Sequence, residues 1–337
     1  MSSKVCAICS GKTIGISVVN RLTNNSGFSW ENDSTLQLLG WEHADVQLRT
    51  CLDCMHTALW PHFDASQLYG ERGGQVRKAV LASYGEPSIV PAKGTASLNI
   101  EKNFRAAAND LRRFQRVSEF IADNVHGSFD GVDEIRILDW GGGDGYVSAV
   151  YARTLEAVTM VSASSFVYDY TEWASVGGTS VGLKELQRMG KFHVLILSGI
   201  LEHTHDPVGT LKAATEYLLP GGVVICEVPD ERYVQVHGIL LKKFGLHYHV
   251  CYFNERSLHR AMRLSGLTAI STRLDSSSSY RGKPIRFFLG VGCKAGGSKK
   301  PSREPDRLSE LFKLFVYAVA GFVRSIGNRF RMALRER

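Results

Sequence analysis

At 337 residues and 44% hydrophobic content, the chain can bury at least one full core and has room for two domains. Its formal charge of +7 is confined to the end, because eleven Lys/Arg stand against four Asp/Glu between Lys294 and Arg337 and the first 293 residues are neutral overall. That distribution argues against a uniformly basic nucleic-acid-binding body and describes a basic tail on a neutral one.

No apolar segment follows Met1-Ser-Ser-Lys, and the longest apolar run, Leu314 to Val323, is ten residues, too short to cross a bilayer as a helix. The expectation is a cytoplasmic protein, with the inner face of the membrane as its one candidate attachment. Of the seven cysteines, four form two pairs, Cys6-Ala-Ile-Cys9 and Cys51-Leu-Asp-Cys54, separated by 41 polar, turn-rich residues. Each pair can close a tight knuckle that turns two thiolates onto one ion, and two knuckles complete a tetrahedral zinc site. Two redox pairs, or four unconnected buried thiols, are the competing readings; a redox pair belongs beside a βαβ pattern, and none is apparent here. Residues 1–70 are therefore expected to form a zinc-binding module held by Cys6, Cys9, Cys51 and Cys54. The glycine- and proline-rich stretch 71–103 is expected to connect it to the rest.

From about Phe104 to Val125, Leu111, Phe114, Val117, Ile121 and Val125 share one helical face. Ile135–Asp139 reads as a strand running into a turn with glycines at 141, 142, 143 and 145, and a helix starts at Tyr146 and runs to about Thr154. Strand, glycine turn and helix bring the backbone close to a nucleotide at the carboxyl end of a parallel sheet. A second strand is expected at Ala157–Ser162, and another strand and helix between Gly177 and Gly190. Phe192–Ser198 is a continuous apolar run suited to the centre of a parallel sheet. Asp206-Pro207 caps a helix expected to reach Leu219, where Pro220-Gly221-Gly222 turns into a strand at Val223–Val228. A helix at Arg256–Leu264 and strands at Thr268–Leu274 and Arg286–Cys293 follow. Strands alternating with helices give an α/β fold, a Rossmann-like sheet wound on both faces.

Asp139-x-Gly-Gly-Gly-Asp-Gly145 resembles the first motif of class I S-adenosylmethionine (SAM)-dependent methyltransferases. Ser198-Gly-Ile-Leu-Glu-His203, Asp206-Pro207, Leu218-Leu-Pro-Gly-Gly222 and His249-Val-Cys-Tyr-Phe-Asn254 resemble later signatures of that family, in order, within residues 104–293. With the two cysteine pairs in front, the whole resembles the zinc-containing sugar methyltransferases. The resemblance implies a SAM-dependent methyltransferase domain over 104–295, with Asp139, Gly141, Gly143, Gly145, Ser198 and Leu201 at the cofactor. It places Ser162 where the family has an acid for the ribose, with Asp169 some residues further on. It implies that Glu202 and His203 reach over the carboxyl edge of the sheet and that His249 takes the acceptor's proton. Leu246-His-Tyr-His249 stands where the sugar C-methyltransferases carry Tyr-His-Glu-His, which shifts the expectation towards O-methylation of a sugar, nucleotide sugar or glycan. Two rivals remain: a non-catalytic protein of the same fold, which the missing ribose acid would suit, and an RNA methyltransferase, which the neutral body disfavours.

Residues 296–337 are expected to form a basic tail. Leu308, Leu311, Phe312, Phe315, Val319, Phe322, Val323, Ile326, Phe330 and Leu334 fall on one helical face, with five arginines in the last third. Such a helix suits an anionic membrane surface. A place on the body, or on a second copy in a homodimer, is its competitor.

Overall fold

The computed structural model describes residues 5–19, 46–60, 119–120, 123–124, 128–143, 145–169, 178–230, 249–280, 283–296, 301–313 and 316. The connector at 71–103, most of the helix expected over 104–125, and the tail beyond Val316 lie outside them.

The main sheet begins at β4 (Glu134–Trp140), whose buried apolar residues lead into the glycine turn and helix α1 (Tyr146–Thr159). The next strand, β5 (Ser162–Tyr168), runs parallel to β4, and the short β6 (Thr179–Ser180) pairs outside it. A short helix α2 (Leu183–Leu186) leads to β7 (Phe192–Ser198), which pairs with the other side of β4. Helix α3 (Pro207–Thr215) leads to β8 (Leu218–Pro229), parallel to β7. The hairpin β10 (Leu267–Tyr280) and β11 (Lys283–Lys294) then adds to β8, with β11 antiparallel to its neighbours. The order is β10-β11-β8-β7-β4-β5-β6. Chain progression reverses at β4: one half winds outward through β5 and β6, the other through β7 and β8. Such a switch point opens a crevice at the carboxyl ends of the two central strands. This is the doubly wound, Rossmann-like α/β fold that the pattern of strands and helices called for.

Both faces of the central strands are buried, which is why Phe192–Ser198 reads as a continuous apolar run rather than an alternation. Ile137, Val194, Ile196, Val223 and Ile225 pack with Tyr151 and Leu155 of α1. Leu138, Leu195, Leu197, Val224 and Cys226 pack on the opposite face with α3 and with helix α4 (Glu255–Leu264).

Several boundaries differ from the sequence reading, and the hairpin strands run on to Tyr280 and start from Lys283. Residues 157–159 belong to α1, which ends at Met160 in the left-handed conformation (φ 58°), so the second strand starts at Ser162 instead of ending there. Helix α3 stops at Thr215 rather than Leu219. Leu218 already pairs with Phe192, and Pro220-Gly221-Gly222 forms an irregularity inside β8 before Val223 pairs with Val194. Gly222 is needed there, since a Cβ would lie 2.8 Å from Leu218 Cγ.

The N-terminal cysteine region forms a second sheet of β1 (Thr13–Val19), β2 (Val46–Cys51) and β3 (Thr57–Trp60), all antiparallel. Its fourth strand comes from far along the chain: β9 (Cys251–Tyr252) pairs with β3, Cys251 opposite Ala58 and Tyr252 opposite Thr57. Cys6, Ile8, Leu48, Cys51, Cys54 and Ala58 share one hydrophobic cluster with Leu138, Leu195 and the inner faces of α3 and α4.

Asn254, fully buried, fastens this junction. Its side-chain oxygen accepts from Ser257 N, Ser257 Oγ accepts from Asn254 N, and its amide donates to Met55 O at 2.8 Å in the second cysteine turn. It is at once the N-cap of α4 and a clamp on the cysteine module. Asn254→Ala removes the cap and strips a buried carbonyl of its donor, so we expect a loss of about 2–4 kcal/mol in urea unfolding. Asn254→Ser, which keeps a cap acceptor without setting a carboxylate against the Met55 carbonyl, should fall in between.

Candidate active site and metal centre

The glycine turn is shaped by what lies against it. Gly141, Gly143 and Gly145 all have positive φ (75°, 58° and 78°), a region that side-chain-bearing residues rarely enter. Gly142 has ordinary φ but no room, because a Cβ there would come within 2.4 Å of the Asp139 carboxylate. Asp139, 1% exposed, is therefore packed beneath the turn and acts as its floor. A Cβ at Gly141 would meet Ile200 Cδ1 at 2.3 Å, whereas at Gly143 it would meet nothing within 4 Å. The open side of the turn is thus at Gly143, and the N-terminus of α1 follows directly.

The strand correction matters here. Ser162 opens β5 opposite Glu134, at the amino edge, about 20 Å of extended chain from the glycine turn. It cannot reach a ligand at the carboxyl edge. The residue that leaves β5 at that edge is Asp169, whose carboxylate Oδ2 accepts the Gly143 N–H at 2.9 Å. The carboxylate that seemed to be missing is present at the mouth of the turn, and with it goes the ground for a non-catalytic reading. The signal lay in Phe166-Val-Tyr168 followed by an acid, obscured by the left-handed end of α1.

The carboxyl end of β7 forms the other wall. Ser198 Oγ donates to Glu227 Oε2 at 2.8 Å, and Gly199 N donates to Glu227 O at 3.0 Å, tying the ends of β7 and β8 together. Glu227, 1% exposed, had no motif to announce it. Leu201 does not face the crevice: it is fully buried in the core, and Ile200 is the residue over the glycine turn.

Glu202 and His203 complete a 3₁₀ turn (Leu201–His203) beyond Ser198. His203 and His249 stand edge to face with ring centroids 4.8 Å apart, and His203 Nε2 lies 3.9 Å from Glu202 Oε1. Val250 N donates to Glu202 O at 2.8 Å, and Cys251 Sγ donates to Thr204 O at 3.1 Å. These bonds bring the late segment containing His249 onto the turn after β7. The structure thus unites Glu202, His203 and His249, drawn from two distant segments; His247 lies outside the described residues.

The four paired cysteines also meet. Cys6 and Cys54 sulfurs are 3.6 Å apart, Cys9 and Cys51 3.5 Å, and all four lie within 4.8 Å of one another. Disulfide sulfurs would be about 2.05 Å apart. Four sulfurs at about 2.3 Å from one tetrahedral zinc are about 3.8 Å apart, close to the separations here. The two turns share one design. The N–H of the fourth residue after the first cysteine donates to that cysteine's carbonyl (Ser10 to Cys6, Met55 to Cys51), and the N–H of each first cysteine donates to the carbonyl five residues on (Gly11, His56). Ser10 and Met55 both sit at positive φ, 56° and 61°. Ile8 N and Asp53 N donate to the sulfurs of Cys6 and Cys51, a bond that stabilises thiolate. The hydrogen bond with Cys51 pushes the pKa of Cys6 up to about 12 and that of Cys54 higher still, and bonds from Cys54 draw Cys9 down to about 7 and Cys51 lower. The donor set and its spacing fit zinc, which would let all four sulfurs be thiolates. Such a closed four-cysteine site stabilises structure and has no open position for catalysis.

The crevice at the switch point, floored by a glycine turn and flanked by an acid and a histidine pair, defines a nucleotide-cofactor site of the class I type. Residues 111–272, just under half of the chain, match a family model described as a methyltransferase domain. The matched segment, with this fold, is a methyltransferase domain. No curated protein matches the chain in sequence. Among solved structures, the chain is similar to magnesium protoporphyrin IX methyltransferase from Synechocystis with bound S-adenosylhomocysteine (14% identity, TM-score 0.39, 67% of this chain and 96% of that one). It is similar to 1,6-didemethyltoxoflavin-N1-methyltransferase from Burkholderia thailandensis (13% identity, TM-score 0.42, 72% and 97%). An O-methyltransferase family protein from the same organism aligns at 19% identity and TM-score 0.38, over 67% of this chain and 73% of that one.

Two outcomes follow from this geometry. Asp169→Ala should weaken S-adenosylhomocysteine binding in calorimetry by about tenfold or more, the cost of a charge-assisted hydrogen bond, while Ser162→Ala leaves it unchanged. Elemental analysis should find about one zinc per chain, and Cys51→Ser should lower both zinc content and melting temperature.

Proposed function

We propose that the enzyme moves the methyl group of SAM to a hydroxyl of a sugar, carried on a nucleotide or a glycan, and that His249 takes the proton released. SAM, when bound, supplies a methyl group on a sulfonium centre. Gly141 and Gly143 let the backbone pass close beneath the cofactor, the Gly143 side of the turn being open, and Asp169 accepts from the ribose hydroxyls. Displacement at a sulfonium needs positioning and one base rather than a Lewis acid.

The observation that carries the reading is the pairing of His203 with His249 beside Glu202, on the turn that leaves β7 over the glycine loop. An imidazole there can accept a hydroxyl proton as the methyl is transferred, and the neighbouring carboxylate favours the imidazolium that results. Sugar as the acceptor is supported by the order of motifs and by the cysteine module, whose strand β3 is hydrogen-bonded to β9, two residues from His249. A hydroxyl rather than a carbon acceptor is supported by Leu246 and Tyr248, which replace the tyrosine and glutamate of the C-methylating sequences. The zinc would hold the module in shape and supply no step of the reaction.

Transfer from labelled SAM to a panel of nucleotide sugars is the direct test. His249→Gln should lower kcat by about 10²–10⁴-fold with S-adenosylhomocysteine affinity unchanged. Unchanged turnover in His249→Gln would remove this residue as the base, and absence of transfer to every sugar would remove the acceptor class.

A further inference from the structure

The beginning of the tail is docked on the body, and it is docked inside out. Residues 301–306 lie along α4: Ser302 N donates to Ala269 O, His259 Nε2 lies 3.1 Å from Ser302 Oγ, and Arg256 contacts both Pro305 O and Glu304. Residues 307–313 are helical. In that helix Glu310 and Lys313 face the protein, while Arg307 is exposed. Glu310 is fully buried, and Lys313 bridges it to Glu255 at 2.6 and 2.5 Å. The opposite face carries Leu308, Leu311, Phe312 and Val316, which are 73%, 38%, 67% and 47% exposed. A helix on a soluble body normally turns its apolar stripe inward. Here an i, i+3, i+4, i+8 stripe is turned outward while a partly buried ion pair holds the other side.

The path of the segment sets where that stripe lies. Ala269 is near the start of β10, which pairs there with the last residues of β11 and so lies at the amino edge of the sheet. Glu255 is the first residue of α4, a few positions after His249, at the carboxyl edge. From Ser302 to Lys313 the chain therefore climbs α4 from the amino edge to the edge that holds the glycine turn and the histidine pair. At helical spacing the sequence continues the same stripe through Val319, Phe322, Val323, Ile326 and Phe330. Five arginines (324, 329, 331, 335 and 337) and one acid, Glu336, accompany it.

We propose that this outward stripe and the arginines after it bind an anionic lipid surface, bringing the ligand edge of the sheet to the membrane. The acceptor is then a sugar carried on a lipid; this last step rests on the sugar reading above, whereas lipid binding does not. The charge pattern selects lipid over a second copy of the chain, because two tails bearing five arginines each would repel one another, while acidic headgroups neutralise them.

Full-length protein is tested by co-sedimentation with vesicles of equimolar phosphatidylglycerol and phosphatidylcholine, and with phosphatidylcholine alone. We expect binding to the anionic vesicles, weakened by salt. The double variant Leu308→Ser/Phe312→Ser, both positions being exposed, should bind about tenfold or more weakly with unchanged S-adenosylhomocysteine affinity. Equal binding of variant and native protein, or no binding by either, overturns the proposal. So does a dimer in sedimentation equilibrium that the same variant converts to monomer without any lipid association. Vesicle binding needs neither cofactor nor acceptor, so it stands or falls apart from the sugar-transfer assay. If lipid binding holds, sugar transfer should favour a lipid-linked acceptor over the free sugar in the presence of vesicles.

Discussion

The pairing of β3 with β9 is the contact on which the candidate active site depends. It spans almost two hundred residues of sequence and joins the second cysteine turn to the segment that carries His249. Two ladder positions would be a weak bond in isolation. They are reinforced on one side by Asn254, which donates to Met55 O, and on the other by Cys251 Sγ to Thr204 O and Val250 N to Glu202 O. The late segment is therefore held between the cysteine module and the turn after β7. A histidine that must meet a reacting hydroxyl within hydrogen-bonding distance needs this sort of double support. A zinc held by the four cysteines would then have a role without chemistry. It would fix two turns, which support β2 and β3, and β3 pairs with the strand that follows His249.

A second constraint is steric and concerns the cofactor loop. Asp139 is buried under Gly142 so closely that any side chain at 142 would displace the carboxylate, and Ile200 leaves no room for one at 141. The run of glycines thus answers two separate demands, positive φ at 141, 143 and 145 and lack of space at 141 and 142. Only the Gly143 face is open. There the Asp169 carboxylate is already oriented by the Gly143 N–H, so the acid and the loop are positioned by one another. A carboxylate at the end of β5 and a glycine turn at the end of β4 are neighbours because the two strands run parallel and in register, Trp140 opposite Tyr168.

Features set by local chemistry were legible in the sequence. Asp139 and its glycines, the Asp206-Pro207 cap with Gly209 N bonded to Asp206 Oδ1, the apolar β7 run and the two cysteine pairs all announce themselves within a few residues. What was not legible depends on long-range pairing or on a single backbone conformation. Met160 takes a left-handed conformation with no glycine to advertise it, so the sequence pattern does not show how far α1 runs, and the strand that ends beside Asp169 begins at Ser162 rather than ending there. The motif containing Leu201 does not show which of its side chains turns inward; the 3₁₀ turn places Leu201 in the core and Ile200 over the loop. Glu227 and β9 carry no local signature, since each is defined by its partner on another strand.

The same logic bears on the tail. An amphipathic pattern states which residues share a face, and says nothing about which face meets the protein. Composition alone favours docking by the apolar side, where each buried leucine or phenylalanine contributes about 1.5–3 kcal/mol. The structure takes the other option for residues 307–313, placing Glu310 and Lys313 against Glu255. A partly buried ion pair contributes little net stability, because desolvation and solvent screening offset most of its attraction. Choosing it over an available hydrophobic stripe forgoes stabilisation within the monomer, and that is physically reasonable when the stripe is required elsewhere. The orientation of one short helix, set by two charged side chains, thereby links the chemistry of the carboxyl edge to the surface from which its acceptor would come.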